Sequence, residues 1–68
     1  MKYFIAYSET YTGTPRDYLM NTLIDIHPLE WQIENGEVQE TGFTVYRTVL
    51  HWQKISETDY EEYKDKIE

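Results

Sequence analysis

Five residues limit what this chain can build. Two prolines, Pro15 and Pro28, and three glycines, Gly13, Gly36 and Gly42, cut it into segments that each hold one strand, one helix or one hairpin. With 68 residues in all, those segments must share a single domain spanning 1–68. A domain of that size buries only about 60% of the surface its unfolded chain exposes. No disulfide can add to its stability, because cysteine is absent.

Lys2 to Tyr7 is expected to be a strand with apolar groups on both faces: Tyr3, Ile5 and Tyr7 on one, Phe4 and Ala6 on the other. Two-sided burial implies a central strand or pairing with another chain. Ser8 to Thr14 is expected to finish this strand and lead into a loop. Thr14-Pro15-Arg16-Asp17 has the form of a helix start, with Thr14 as cap, Pro15 at the first helical position and Asp17 reaching back. Tyr18, Leu19, Met20, Leu23 and Ile24 then fit a helical stripe, so a helix is predicted over 15–26, ended by Pro28. Asn35-Gly36 is the preferred pair for a tight hairpin turn and predicts a hairpin over 30–40. In that hairpin Trp31, Ile33 and Val38 would be buried, and Glu34 would face Glu37.

Phe43 to Lys54 is predicted as a long strand whose apolar phase shifts across Arg47-Thr48, the mark of a bulge. Ser56 to Ile67 is predicted as a helix, with Ser56 as cap, Asp59 three residues on, and Tyr60, Tyr63 and Ile67 as its docking stripe. The expected fold class is α+β: a small two-layer domain with a mainly antiparallel sheet and two helices, in the order β-α-β-β-β-α.

The formal net charge is −7, from 13 acidic and 6 basic residues. Direct binding to nucleic acid or to an anionic membrane is therefore disfavoured. No apolar run approaches a membrane span, and the start of the chain lacks a signal-peptide core, so the cytoplasm is the expected compartment. Between Asp17 and Tyr46 lie six carboxylates (Asp17, Asp25, Glu30, Glu34, Glu37, Glu40) and no basic residue. Carboxylates two apart on a strand sit about 6.6–6.8 Å apart. That is close to two phosphate steps of about 3.4 Å along a nucleic-acid strand. Such an array suits a basic groove; read conservatively, it is a solvated face that keeps the domain soluble.

Seven tyrosines add a second feature. Tyr3, Tyr7, Tyr60 and Tyr63 are expected in the structure's interior, and Tyr11, Tyr18 and Tyr46 at its surface, where rigid rings favour protein contacts. Catalytic residues are not indicated. His27 and His51 stand alone, no HxH, HExxH or CxxC spacing occurs, and no glycine-rich loop offers a phosphate cradle. A site joining His27 and His51 with a carboxylate is the weakest reading. No metal or cofactor is expected.

Size, acidity, lack of cysteine, the acidic stretch Glu30 to Glu40 and the acidic final segment Glu57 to Glu68 together resemble the small acidic accessory proteins of phages and mobile elements. The likeness is one of general character over the whole chain. It implies a stoichiometric inhibitor of a host defence or nucleic-acid-processing complex, anti-CRISPR-like or anti-restriction-like, often acting as a nucleic-acid mimic. The reading is then a non-catalytic protein that docks on a basic protein surface, through Glu30, Glu34, Glu37 and Glu40 for charge and Tyr11 and Tyr46 for contact. A homodimer that serves only a structural or interaction role is the alternative.

Overall fold

A computed structural model of the chain describes residues 1–13 and 16–66. It is α+β, with one antiparallel four-stranded sheet and two helices. The elements are β1 (Lys2–Tyr11), β2 (Tyr18–Ile24), α1 (Pro28–Asn35), β3 (Glu37–Glu40), β4 (Phe43–Ile55) and α2 (Glu57–Tyr63). Strands lie side by side in the order β2-β1-β4-β3. The class and the sheet agree with expectation, while the first helix lies elsewhere in the chain.

β1 is central, as its two-sided apolar pattern requires. Its alternation continues past Tyr7, so that Tyr3, Ile5, Tyr7 and Glu9 are all buried on one face. Tyr3 sits between Ile24 and Lys54, Ile5 between Thr22 and Trp52, Tyr7 between Met20 and Val49, and Glu9 between Tyr18 and Arg47. This is the inner face, and α1 lies over it. Tyr3, Ile5, Tyr7 and Ile24 form the core, with Met20, Ile26, Trp31 and Val49 packed partly against it. The Trp31 ring meets Tyr7 at 4.9 Å between centroids.

The segment expected as a helix over 15–26 is strand β2 between Tyr18 and Ile24. Its apolar residues satisfy both periods. Met20 and Ile24, two and six residues beyond Tyr18, alternate onto the inner face beside Tyr7 and Tyr3. A neighbour for the free side of β1 decides between them, and tertiary pairing overrides the local preference. The Thr14-Pro15 capping signal lies outside the described residues.

The first arm of the expected hairpin is α1. Pro28 starts this helix rather than ending one, at the position where its missing N–H costs nothing. His27 caps it, its Nδ1 accepting from the Leu29 N–H at 3.1 Å. Pro28, Trp31, Gln32 and Asn35 turn inward, while Leu29, Glu30, Ile33 and Glu34 are exposed. Ile33, expected in the core, is 83% exposed. Asn35-Gly36 does not make the hairpin turn: Gly36 keeps helical angles (φ −66, ψ −27) and closes the helix through its N–H to the Gln32 carbonyl. A Cβ on Gly36 would meet that carbonyl at 2.5 Å, so close approach, not handedness, demands glycine there. The actual hairpin is β3–β4, turning at Thr41-Gly42 with Gly42 at φ +88.

β4 carries the expected bulge, at Leu50 rather than at Arg47-Thr48: Ala6 pairs His51, whereas Tyr7 pairs Val49. Its N-terminal half is stitched to β1 by Thr12, whose hydroxyl accepts from the Thr44 N–H at 2.9 Å. α2 begins as expected, with the Ser56 hydroxyl accepting from the Asp59 N–H at 3.0 Å. It lies at one end of the opposite, outer face, where Lys2 reaches over the Tyr60 ring at 4.5 Å. None of its residues is buried. The expected docking position Ile67 lies outside the described residues. The core therefore occupies two layers, the sheet and α1, with α2 peripheral.

Candidate functional site

α1 is fixed to the sheet by a clamp. β3 is short, and beyond it the edge of β4 has unpaired backbone groups. Gln32 supplies the missing partners: its Nε2 donates to the Arg47 carbonyl at 2.6 Å, and its Oε1 accepts from the Val49 N–H at 2.7 Å. Arg47 then reaches under the helix. Its Nε donates to Glu9 Oε2 at 2.6 Å, and its Nη1 lies 3.4 Å from the Asn35 carbonyl. Glu9 also accepts from the Tyr11 hydroxyl. That bond and the Arg47 guanidinium hold the Glu9 carboxyl below its ordinary range, against the opposing pull of burial. The same bond to Glu9 raises the Tyr11 hydroxyl, and burial raises that of Tyr7.

This clamp presents one helix surface to solvent: Leu29 and Ile33 one turn apart, beside Glu30 and Glu34 one turn apart. On a helix such pairs lie about 5–6 Å apart between Cβ atoms. The strand spacing expected for Glu30 and Glu34 is thereby corrected, since they belong to α1. Glu37 and Glu40 follow on β3, both exposed. Glu37 pairs with Tyr46 on the outer face, and Glu40 flanks the Thr41-Gly42 turn. The four carboxylates thus form a band along the α1–β3 edge, with Glu40 on the inner face of β3 and Glu37 on the outer, rather than one flat array. Among the described residues, ion pairs engage Glu9, Glu57 and Glu61; none of the band has such a partner.

The two tyrosines separate. Tyr46 is 45% exposed and stands beside Glu37. Tyr11 is half-buried, its hydroxyl committed to Glu9 and its ring against Tyr18 and Phe43 at 5.8 and 5.9 Å. It is a structural residue of the clamp, and the expectation that it offers a free ring is corrected. Leu29 and Ile33 were missed as surface residues. The spacing Pro28, Trp31, Gln32, Asn35 was the signal that would have exposed them. Buried Glu9 was missed as well; the alternation Tyr3, Ile5, Tyr7, Glu9, Tyr11 pointed to it.

His27 and His51 do not meet. His27 packs between Tyr3 and Trp52, with centroids at 5.6 and 5.4 Å, on the inner side. His51 pairs with Ala6 on the outer face. Among the described residues no group of three His, Asp or Glu side chains is placed to hold a metal ion. Among the described residues no helix is long and apolar enough to cross a membrane. Compared with protein-family models, curated proteins and solved structures, the chain gave no significant match to any.

Proposed function

We propose that this protein is a non-catalytic binding protein that docks its α1–β3 band on a basic surface of a partner protein. Glu30, Glu34 and Glu37 supply the field, and Leu29, Ile33 and Tyr46 supply apolar contact area. The observation that carries the reading is Glu34. It stands four residues from Glu30, in the last turn of α1, where no basic residue offsets the negative end of the helix dipole. A like-charge pair at that spacing opposes the helix by about 0.2–0.5 kcal/mol, and the dipole adds about 0.3–1 kcal/mol. A carboxylate kept where it weakens its own helix, beside two exposed aliphatic side chains, is accounted for by an external partner. A groove built for nucleic-acid phosphates has the matching chemistry. The nucleic-acid-binding surface of a host defence or nucleic-acid-processing complex is the partner class this reading favours, with the protein as its inhibitor.

Charge complementarity governs mainly association rate, and buried apolar contacts govern dissociation. The test is capture on tagged protein from nuclease-treated bacterial lysate at low and high salt, with Glu34→Lys/Glu37→Lys in parallel. A nucleic-acid-processing protein retained at low salt, and lost both at high salt and with the double reversal, supports docking. Capture that survives the reversal assigns another surface. Since Glu34→Lys improves the helix, loss of binding with unchanged or higher stability separates docking from unfolding.

A further inference from the structure

The two edges of the sheet are built differently. β3 is four residues long and carries Glu37 and Glu40, a short charged edge that resists pairing. Where β4 runs past β3, Gln32 occupies the Arg47 carbonyl and the Val49 N–H, and the stretch beyond carries the charged Lys54. β2 has neither protection. Its seven residues, Tyr18–Ile24, include no charged side chain, proline or glycine, in a chain with 13 acidic and 6 basic residues. Among the described residues its sheet partner is β1 alone, so the other side of its backbone faces outward. Leu19 is 79% exposed and Tyr18 41%.

We propose that β2 pairs antiparallel with β2 of a second copy, joining two four-stranded sheets into one continuous sheet about a two-fold axis. The choice of a second copy rests on symmetry, charge and register. A two-fold axis normal to the sheet presents each strand edge with its own donor and acceptor pattern and keeps inner face beside inner face. Copies with a net charge of −7 repel each other over most of their surface, and β2 is a stretch where close approach juxtaposes no charges within the strand. Full overlap centres on Asn21. It sets Leu19 opposite Leu23 of the second copy and Tyr18 opposite Ile24, at cross-strand Cβ distances of about 4.5–5.5 Å.

Leu23 lines a groove of about 450 Å³ on the outer face, with Phe4, Gln53, Ile55, Asp59 and Tyr63. Leu19 of the second copy arrives at the rim of that groove, and its exposed side chain becomes covered. Asp17 and Asp25, which flank β2, are brought opposite each other at the two ends of the pairing. Self-association therefore strengthens with salt, opposite in sign to docking on a basic partner, and it stands whether or not that docking holds.

Light scattering and sedimentation equilibrium across protein concentration, at low and high salt, test the proposal. The expected result is twice the chain mass at high concentration, reached at lower concentration when salt is raised. Leu19→Lys should weaken the association by roughly an order of magnitude, because an edge lysine would be driven into a desolvated position. Leu50→Lys, on β4 with β1 between it and β2, should leave it intact. Both positions are exposed, and circular dichroism checks that both variants fold. A chain that stays monomeric at its highest soluble concentration overturns the proposal. So does a dimer that persists in Leu19→Lys, and so does one abolished by Leu50→Lys alone, which would place the contact on β4.

Discussion

Removing Arg47 tests the clamp that carries α1. In Arg47→Leu, the buried Glu9 carboxylate keeps only the Tyr11 hydroxyl as partner. Breaking a fully buried pair by deleting one member costs about 3–5 kcal/mol, whereas an exposed pair is worth about 0–1 kcal/mol. The Glu9 side chain is 8% exposed and that of Arg47 24%. The pair lies nearer the buried limit, discounted for water at the guanidinium, and the expected cost is about 2–3 kcal/mol. A chain this small has a total stability of roughly 3–10 kcal/mol, so the variant should melt about 8–24 °C lower. Urea unfolding followed by tryptophan fluorescence reads it directly, since Trp31 packs on Tyr7 beside the clamp.

The double variant Glu9→Leu/Arg47→Leu should cost less than either single change, because no uncompensated charge stays buried. Acid supplies an independent check. The folded-state pKa of Glu9 is depressed, so its contribution is present above the unfolded carboxyl value of about 4.3 and is lost as pH falls through the lower folded value. The gap between wild type and Arg47→Leu should therefore close on acidification. A cost under about 0.5 kcal/mol at neutral pH, the range of a surface substitution, or a gap indifferent to acid, would refute the argument.

Two further outcomes follow from local geometry. Gly36→Ala should destabilise by more than about 1 kcal/mol, although glycine with helical angles is ordinarily improved by alanine by about 0.4–1 kcal/mol. The added Cβ would stand 2.5 Å from the Gln32 carbonyl and 2.6 Å from its amide nitrogen, and a gain in urea midpoint would contradict this. Ser56→Ala removes the α2 cap, a loss of about 1 kcal/mol to that helix. Because α2 buries none of its residues, amide exchange at Asp59 should accelerate while the global melting temperature holds; a matching fall in both would show that α2 folds with the core.

The features legible beforehand are those whose causes lie within a few residues. Ser56 and Asp59 are three apart, so the start of α2 could be read directly. The two-sided apolar pattern of β1 announced a central strand, and the acidic character of 17–46 is a matter of counting. The exchange of helix and strand between 15–26 and 28–35 has a different origin. Tyr18 to Ile24 fits a helical and a strand period alike, and Asn35-Gly36 ends a helix as readily as it turns a hairpin. Pairing of Tyr3 with Ile24, and of Tyr7 with Met20, decides the first. The grip of Gln32 on Arg47 and Val49 decides the second.

The sequence by itself determined the charge, the class of fold and the central strand, because composition and alternation need no knowledge of neighbours. Tertiary structure alone decided which carboxylates share a surface, that Leu29 and Ile33 face solvent, that Tyr11 serves Glu9, and that β2 ends the sheet. Glu9 and Arg47 lie 38 residues apart. A contact at that separation exists only once the strands between them have found their order, and no local propensity encodes it.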